Sequence, residues 1–318
     1  MIREIGLDDA QLAVREAVTA FCRARLEKTP PGELAPFDRA GWRELAALGV
    51  LGLPDPGGEG GALELVAAME GLGAHLHPGP LAETVFAAAV LPPARRDAVV
   101  AGEAVVAAGV APLFPYGPVA DLLLAWDPAT DEVHRVEPVE SVEEVAVLGD
   151  EPFGRAAVRR VEALGPARRG RIAADLALGA LLASAAGALV ERAAAYARTR
   201  EQFGRPIGSF QAVSHPLADA SIRLLAATSL VRTAAADLDA GRAVAERRAA
   251  AGRRAAASAA TRACAICHQV FGALGVTVEG GVFRVTRRVR QLASRSLGWE
   301  AGEVALLAPL PGRGGDGR

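Results

Sequence analysis

The chain has 318 residues, with 35 basic and 37 acidic side chains, and it is 51% hydrophobic but only 4% aromatic. That length allows two or three domains with a sizeable core. The near balance of charge excludes a general case for nucleic acid or an anionic membrane surface. The apolar residues are mostly Ala, Leu and Val, which suit closely packed helices better than sheets.

The opening residues, M-I-R-E-I-G-L-D-D-A, are charged and amphipathic and lack the apolar centre of an export signal. The most apolar run, 176–190, is shorter than the roughly 20 residues needed to span a bilayer. It is also rich in Ala and Gly, and it reads as a buried helix. Cys22, Cys264 and Cys267 are too few for a disulfide framework, and a reducing cytoplasm is the expectation.

In chain order, residues 8–28 carry a helical pattern, with Leu12, Val14, Val18, Phe21 and Leu26 on one broad face. A Pro-rich linker, 29–36, leads to a second helix over 39–48, with Trp42, Leu45 and Ala46 inward. The stretch P-D-P-G-G-E-G-G (54–61) is a loop. Two further helices are predicted over 62–72 and 81–91, separated by H-L-H-P-G-P. Composition then changes. Residues 122–126 and 133–136 are short β-type runs around D-P-A-T-D, a strand–turn–strand signal, and 104–110 and 142–148 are weaker strands of the same segment. From about Gly170 the chain turns helical again. One helix runs to Phe203 and stops at Gly204 and Pro206, and the next starts near Ser209 as N-cap. Leu217, Leu224, Val231 and Leu238 recur every seven residues with Ala220, Ala227 and Ala234 between them, a seam built for close helix packing. Helices over 243–271 and 282–297 follow. The expected fold is mainly α: a helical domain (1–97), a small β-rich segment (98–167), a four-helix domain (168–308) and a disordered tail (309–318).

From Tyr196 the sequence reads Y-A-R-T-R-E-Q-F-G-R-P-I-G-S-F-Q-A-V-S-H-P-L-A-D. This resembles the acyl-CoA dehydrogenase signature R-x-Q-F-G-x-P-I-x-x-F-Q-x-V-x-H-x-L-A-D. The run W-R-E-L-A-A-L-G-V-L-G-L-P from Trp42, the G-G-E-G-G and P-G-P-L regions, and Q-V-F-G-A-L-G-V-T-V-E from Gln269 are similar to the family in the correct order. The resemblance implies FAD as cofactor, an acyl-CoA substrate and electron-transfer flavoprotein as acceptor. It also implies that Arg200, Gln202, Phe203, Gln211, Gln269 and Gly272 face an FAD held mainly by a neighbouring subunit. A helix-end guanidinium such as Arg200 suits a pyrophosphate, and on a continued helix Phe203 would share its face.

The chain departs from the family pattern in two places. The middle segment carries no T-E-x-x-x-G-S-D or W-I-T-N stretch, and 112–121 offers no equivalent. The catalytic glutamate is also missing. Where many members carry it, this chain has Ser296, and in the other branch the position falls on Ala174. Weak candidates for the base are Asp175, Glu300 and Glu279. Smaller departures are Ala273 in place of a glycine and Pro216 inside a helix, where it removes a donor.

Other signals carry less. Cys264-Ala-Ile-Cys-His268 fits the letter of haem attachment but lies within a predicted helix. His75 and His77 flank a Pro loop with no third metal ligand in evident reach. The favoured reading is a short, degenerate subunit of a heteromeric, heterotetrameric acyl-CoA dehydrogenase that uses bulky or steroid side-chain acyl-CoA, with the base on a longer partner. A self-sufficient homo-oligomeric enzyme, and a helical interaction protein that has lost flavin, remain open alternatives.

Overall fold

The computed structural model describes residues 6–26, 29–30, 33–54 and 60–295. Five helices come first: α1 (Asp9–Leu26), α2 (Arg39–Ala46), α3 (Ala62–Ala74), α4 (Leu81–Val90) and α5 (Pro93–Val100). Val18 of α1, Trp42 and Leu45 of α2, and most of α3 are buried together. Asp38 starts α2 by accepting hydrogen bonds from the backbone N–H groups of Ala40 (3.1 Å) and Gly41 (2.9 Å), which satisfies two donors that the helix leaves free. The short helix α5 was not anticipated. Its sequence, P-A-R-R-D-A-V-V, buries only Val99, so it has almost no hydrophobic period to detect.

The middle of the chain forms seven strands: β1 (Val106–Gly109), β2 (Leu113–Pro115), β3 (Leu122–Asp127), β4 (Glu132–Pro138), β5 (Glu143–Glu144), β6 (Phe153–Arg155) and β7 (Val158–Pro166). One sheet has the order β1-β3-β4-β7 and the other β2-β6-β5. The predicted strand–turn–strand is present, with Leu123 opposite Val136 and Trp126 opposite Val133. Two expectations fail. The run 142–148 contributes only the two-residue β5, and β7, the longest strand, was missed. Its sequence, V-R-R-V-E-A-L-G-P, has no buried residue, and it belongs to the sheet only through its ladder with β4.

Four helices complete the described chain: α6 (Arg168–Thr199), α7 (Gln211–Asp239), α8 (Ala245–Phe271) and α9 (Val282–Ala293). α6 is the central member. It is apolar enough over 18 residues to cross a membrane, yet 83% of that stretch is buried inside the fold, as expected of a core helix. The seven-residue seam of α7 faces inward: Leu217, Leu224 and Val231 with Ala220, Ala227 and Ala234 are buried. Close approach depends on small residues. A Cβ at Gly179 of α6 would lie 2.7 Å from Val231 of α7, and one at Gly73 of α3 would lie 2.6 Å from the Leu181 carbonyl of α6. α7 runs through Pro216 without interruption. The far end of α7 returns to cap α3, where Asp239 accepts from the N–H groups of Ala62 (2.7 Å) and Leu63 (3.2 Å), a negative charge at a helix N-terminus.

The layers are tied by a buried ionic cluster. Arg295, just beyond α9, donates to Glu83 of α4 (2.7 Å) and to Glu151 of the loop before β6 (2.7 Å). Arg288 of α9 also pairs with Glu151, and it reaches the Tyr116 hydroxyl (3.3 Å) and the His77 carbonyl (3.4 Å). Arg253 of α8 bonds the Arg295 carbonyl and pairs with Asp175 of α6 (2.9 Å). All of these charged side chains are buried. Burial raises the pKa of the Glu83 carboxyl, against the opposing pull of Arg295.

Removing one member of such a cluster strands a buried charge. Glu151→Ala is therefore expected to cost about 3–5 kcal/mol in urea unfolding, while the exposed Glu143→Ala stays within about 0.5 kcal/mol of the parent. His77 supplies a pH test. Burial, with the nearby Arg288, lowers its pKa to about 3, so the folded state keeps it neutral where the unfolded chain protonates near pH 6.5. That stability is fully present above pH 6.5 and is lost as pH falls toward 3, with a slope of up to about 1.4 kcal/mol per pH unit from this one residue. His77→Gln should flatten the corresponding part of the stability–pH curve.

Candidate functional site

α6 ends at Thr199, earlier than the sequence pattern indicates. Arg200 is its C-cap, with ψ 121°, and the chain then folds back as a two-stranded hairpin, β8 (Glu201–Gln202) and β9 (Arg205–Pro206). At its tip Phe203 (φ 54°) and Gly204 (φ 77°) are both left-handed, as a two-residue hairpin turn requires. Gly204 thus serves a hairpin turn and not the end of a helix. Arg200 and Phe203 accordingly do not share a helical face, which corrects the reading from spacing. The hairpin closes where the Ile207 N–H donates to the Arg200 carbonyl at 2.8 Å.

The hairpin presents its side chains outward. Phe203 is 92% exposed and meets Phe210 edge to face at 6.1 Å, and the Arg205 guanidinium lies over the Phe210 ring at 4.1 Å. Arg200 is exposed and makes no ion pair among the described residues. Gln202 is exposed and donates to the Glu201 carbonyl at 2.7 Å. Phe210, not Ser209, occupies the N-cap position of α7, because the Ser209 hydroxyl donates back to the Pro206 carbonyl at 2.7 Å. Gln211 is the first residue of α7 and is exposed.

The other motif lies at the same end of the bundle. Tyr196 in the last turn of α6 stacks on Phe271 at the end of α8, with ring centroids 4.7 Å apart and planes at 20°. The C-terminal ends of the two helices therefore lie side by side. Gln269 is exposed in the last turn of α8, and Gly272 follows as C-cap with φ 59° and ψ −132°, a conformation that favours glycine. A Cβ there would meet nothing within 4 Å, so the reason for glycine is the backbone and not crowding inside this chain. Beyond it Leu274, Val276 and Val278 are exposed apolar residues. Arg200, Gln202, Phe203, Gln211, Gln269 and Gly272 thus share one exposed end of α6, α7 and α8.

The candidate bases fare differently. Asp175 is buried and engaged by Arg253; burial raises its pKa and Arg253 opposes this. Glu279 lies exposed in the turn before α9, its pKa lowered by its own backbone N–H and by Thr277. Glu300 lies outside the described residues, as do Ser296 and the tail 309–318. Glu83 and Glu151, the two buried carboxylates held by Arg295, fall at neither family position for the base. A lone carboxylate in L-A-E-T-V-F-A-A-A-V was the available signal for Glu83. The cavity beside Glu83, between α4 and α6, has a volume of only about 10 Å³, room for one water at most.

The remaining sequence signals are structural. Cys264 and Cys267 are buried in α8, and burial pushes their thiols up to about 11 and about 12. His268 bonds the Thr286 hydroxyl at 2.8 Å. His75 bonds the Gly71 carbonyl at 3.0 Å, while His77 packs against Phe21. Among the described residues no cluster of metal-ligating side chains forms.

Comparison with known proteins bears on the fold and on its relatives. The family model described as "Acyl-CoA dehydrogenase, C-terminal domain" matches residues 173–294, which hold α7, α8, α9 and most of α6. The acyl-CoA dehydrogenase FadE34 of Mycobacterium tuberculosis is 33% identical over 83% of this chain, which spans 44% of that protein's length. A chain of the ChsE4–ChsE5 complex from Mycobacterium tuberculosis superposes with a TM-score of 0.77 at 25% identity, covering 96% of this chain and 99% of that one. A glutaryl-CoA dehydrogenase from Mycobacterium smegmatis in complex with FADH2 gives 0.79 over 94% of each chain at 17% identity, a likeness of fold alone. Residues 173–294 match the acyl-CoA dehydrogenase C-terminal domain, and in motif order, helical plan and superposition the rest of the chain is similar to that family as well.

Proposed function

We propose that this chain is a subunit of an FAD-dependent acyl-CoA dehydrogenase and supplies one side of a flavin site shared with a longer partner. The observation that carries this reading is the exposed end of α6, α7 and α8. There Arg200 has no ionic partner among the described residues, and Phe203 is 92% exposed at the tip of a two-residue hairpin turn. An aromatic side chain of that size is costly to leave in water unless another surface covers it. The exposed apolar residues Leu274, Val276 and Val278 border Gly272, and Ile222 and Leu225 lie on the outer face of α7. These are exposed apolar side chains of the kind subunit interfaces use.

The side chains present fit half of an FAD site. The Arg200 guanidinium suits a pyrophosphate, Gln202, Gln211 and Gln269 offer amide donors and acceptors, Phe203 offers a ring to pack on the cofactor, and Gly272 leaves open space beside its backbone. Bound FAD would supply a hydride acceptor for the β carbon of the acyl-CoA. A carboxylate must take the α proton. Among this chain's described carboxylates, Asp175, Glu83 and Glu151 are engaged by arginines and Glu279 faces solvent, which supports a base on the partner; Glu300 lies outside the described residues. By the same family resemblance the acyl group is a steroid side chain or another bulky acid, the assembly is a heterotetramer, and electron-transfer flavoprotein takes the electrons onward.

The test is to purify the chain alone and together with the product of the neighbouring gene, and to record the visible flavin spectrum and acyl-CoA oxidation. The reading expects a colourless chain alone and a yellow, active complex. A yellow, active lone chain sinks the shared site in favour of a homo-oligomeric enzyme, and a colourless complex favours a protein that has lost flavin. Within an active complex, Arg200→Ala is expected to weaken FAD binding roughly 10- to 100-fold, the worth of one charge-assisted contact. Flavin release on dilution, followed by fluorescence, measures it.

A further inference from the structure

A cleft with a volume of about 390 Å³ lies between α1, the linker after it, the end of α3, α6 and the start of α9. Its lining is chemically divided. Leu26, Leu34, Leu76, Leu189 and Val285 form apolar walls, while Arg23, Arg192 and Arg284 bring three guanidinium groups against a single described carboxylate, Glu33. None of these arginines makes an ion pair with a carboxylate among the described residues. Arg192 spends one N–H on the Gly280 carbonyl (2.9 Å), and Arg284 reaches only the backbone carbonyl of Glu33 (3.3 Å).

Three observations point to an anionic ligand. The Arg284 Nε is buried without a hydrogen-bond partner, which is costly for a charged donor. Burial and the neighbouring Arg192 press the Arg284 guanidinium below its usual pKa, so two like charges share this wall with no ion pair to a described carboxylate. The Arg192 guanidinium also rests against Gly281, the N-cap of the 12-residue α9; a Cβ on Gly281 would lie 3.2 Å from Arg192 Nη2. That helix end has no side-chain cap, so its free N–H groups and dipole add positive potential.

We propose that this cleft binds a small amphipathic oxyanion, an apolar chain ending in a carboxylate or phosphate, with its head on Arg192 and Arg284 and its body along Leu189, Leu34 and Val285. The volume lies within the range of ordinary small-molecule sites. Arg192 is eight residues before Arg200, the C-cap of the same helix, roughly 12 Å along the helix axis. The arginine wall of the cleft is therefore set back from the exposed end carrying Arg200, and the cleft meets the small cavity beside Glu83 only at Leu76 and Ala185.

Calorimetric titration of the full chain with octanoate, octyl phosphate, octanol and inorganic phosphate tests this. Saturable binding of octanoate or octyl phosphate is expected, with octanol and inorganic phosphate each at least about tenfold weaker, and the tighter of the two amphiphiles identifies the head group. Arg192→Gln and Arg284→Gln should each weaken that binding about tenfold with an unchanged circular dichroism spectrum, and Arg284→Lys should restore part of it. Arg192 is exposed, so its variant keeps the test valid if the Arg284 variant misfolds. The proposal is overturned if neither amphiphile saturates, if octanol or inorganic phosphate binds equally well, or if Arg192→Gln binds like the parent.

Discussion

Arg295 lies between two buried carboxylates, and much of the architecture is organised by that contact. Glu83 comes from the first helical layer, Glu151 from the β segment, and Arg295 from just beyond the last described helix. Glu151 also holds Arg288, and the Arg295 carbonyl holds Arg253, whose other partner is Asp175. Pieces distant in sequence thus converge on one charge-balanced cluster. Removing charges from water is expensive, and the expense is offset only when every partner is in place. Such a cluster favours one relative placement of the layers over slipped alternatives that apolar packing would tolerate.

The same cluster fills the interior next to α4 and α6. The carboxylates there are held in ion pairs, and the space beside them admits at most a water. Among the described residues, no acid free of an arginine partner lies at that position. The exposed end of α6, α7 and α8 shows the opposite condition, with Arg200 and Phe203 held on a defined backbone and left open to solvent. This contrast between a filled interior and an exposed edge is the basis of the proposed shared site.

Packing among α3, α6, α7 and α8 explains why so much alanine and glycine serves this fold. Gly73 and Gly179 mark crossings where even a methyl group would collide, and the alanines of the α7 seam let Leu217, Leu224 and Val231 reach the core. With few aromatic residues, the core gains density from close backbone approach and not from large side chains.

The order of helices, the β character of the middle and the inward seam of α7 were legible in the amino-acid order, because each rests on a local hydrophobic period that burial then satisfies. The family was legible from the motif at 196–219. What was not legible had no local period: α5, β7 and the hairpin at Arg200, where Gly204 and Pro206 mark an interruption without saying which kind. The partners of charges were equally hidden, since Glu83 and Arg295 lie 212 positions apart in the chain and nothing near either names the other. Sequence by itself determined the family, the helical plan and the residue types on offer at the exposed end. Only the tertiary structure decided which acids are spent on arginines and which arginines remain unpaired, because ion pairing depends on distances that folding sets.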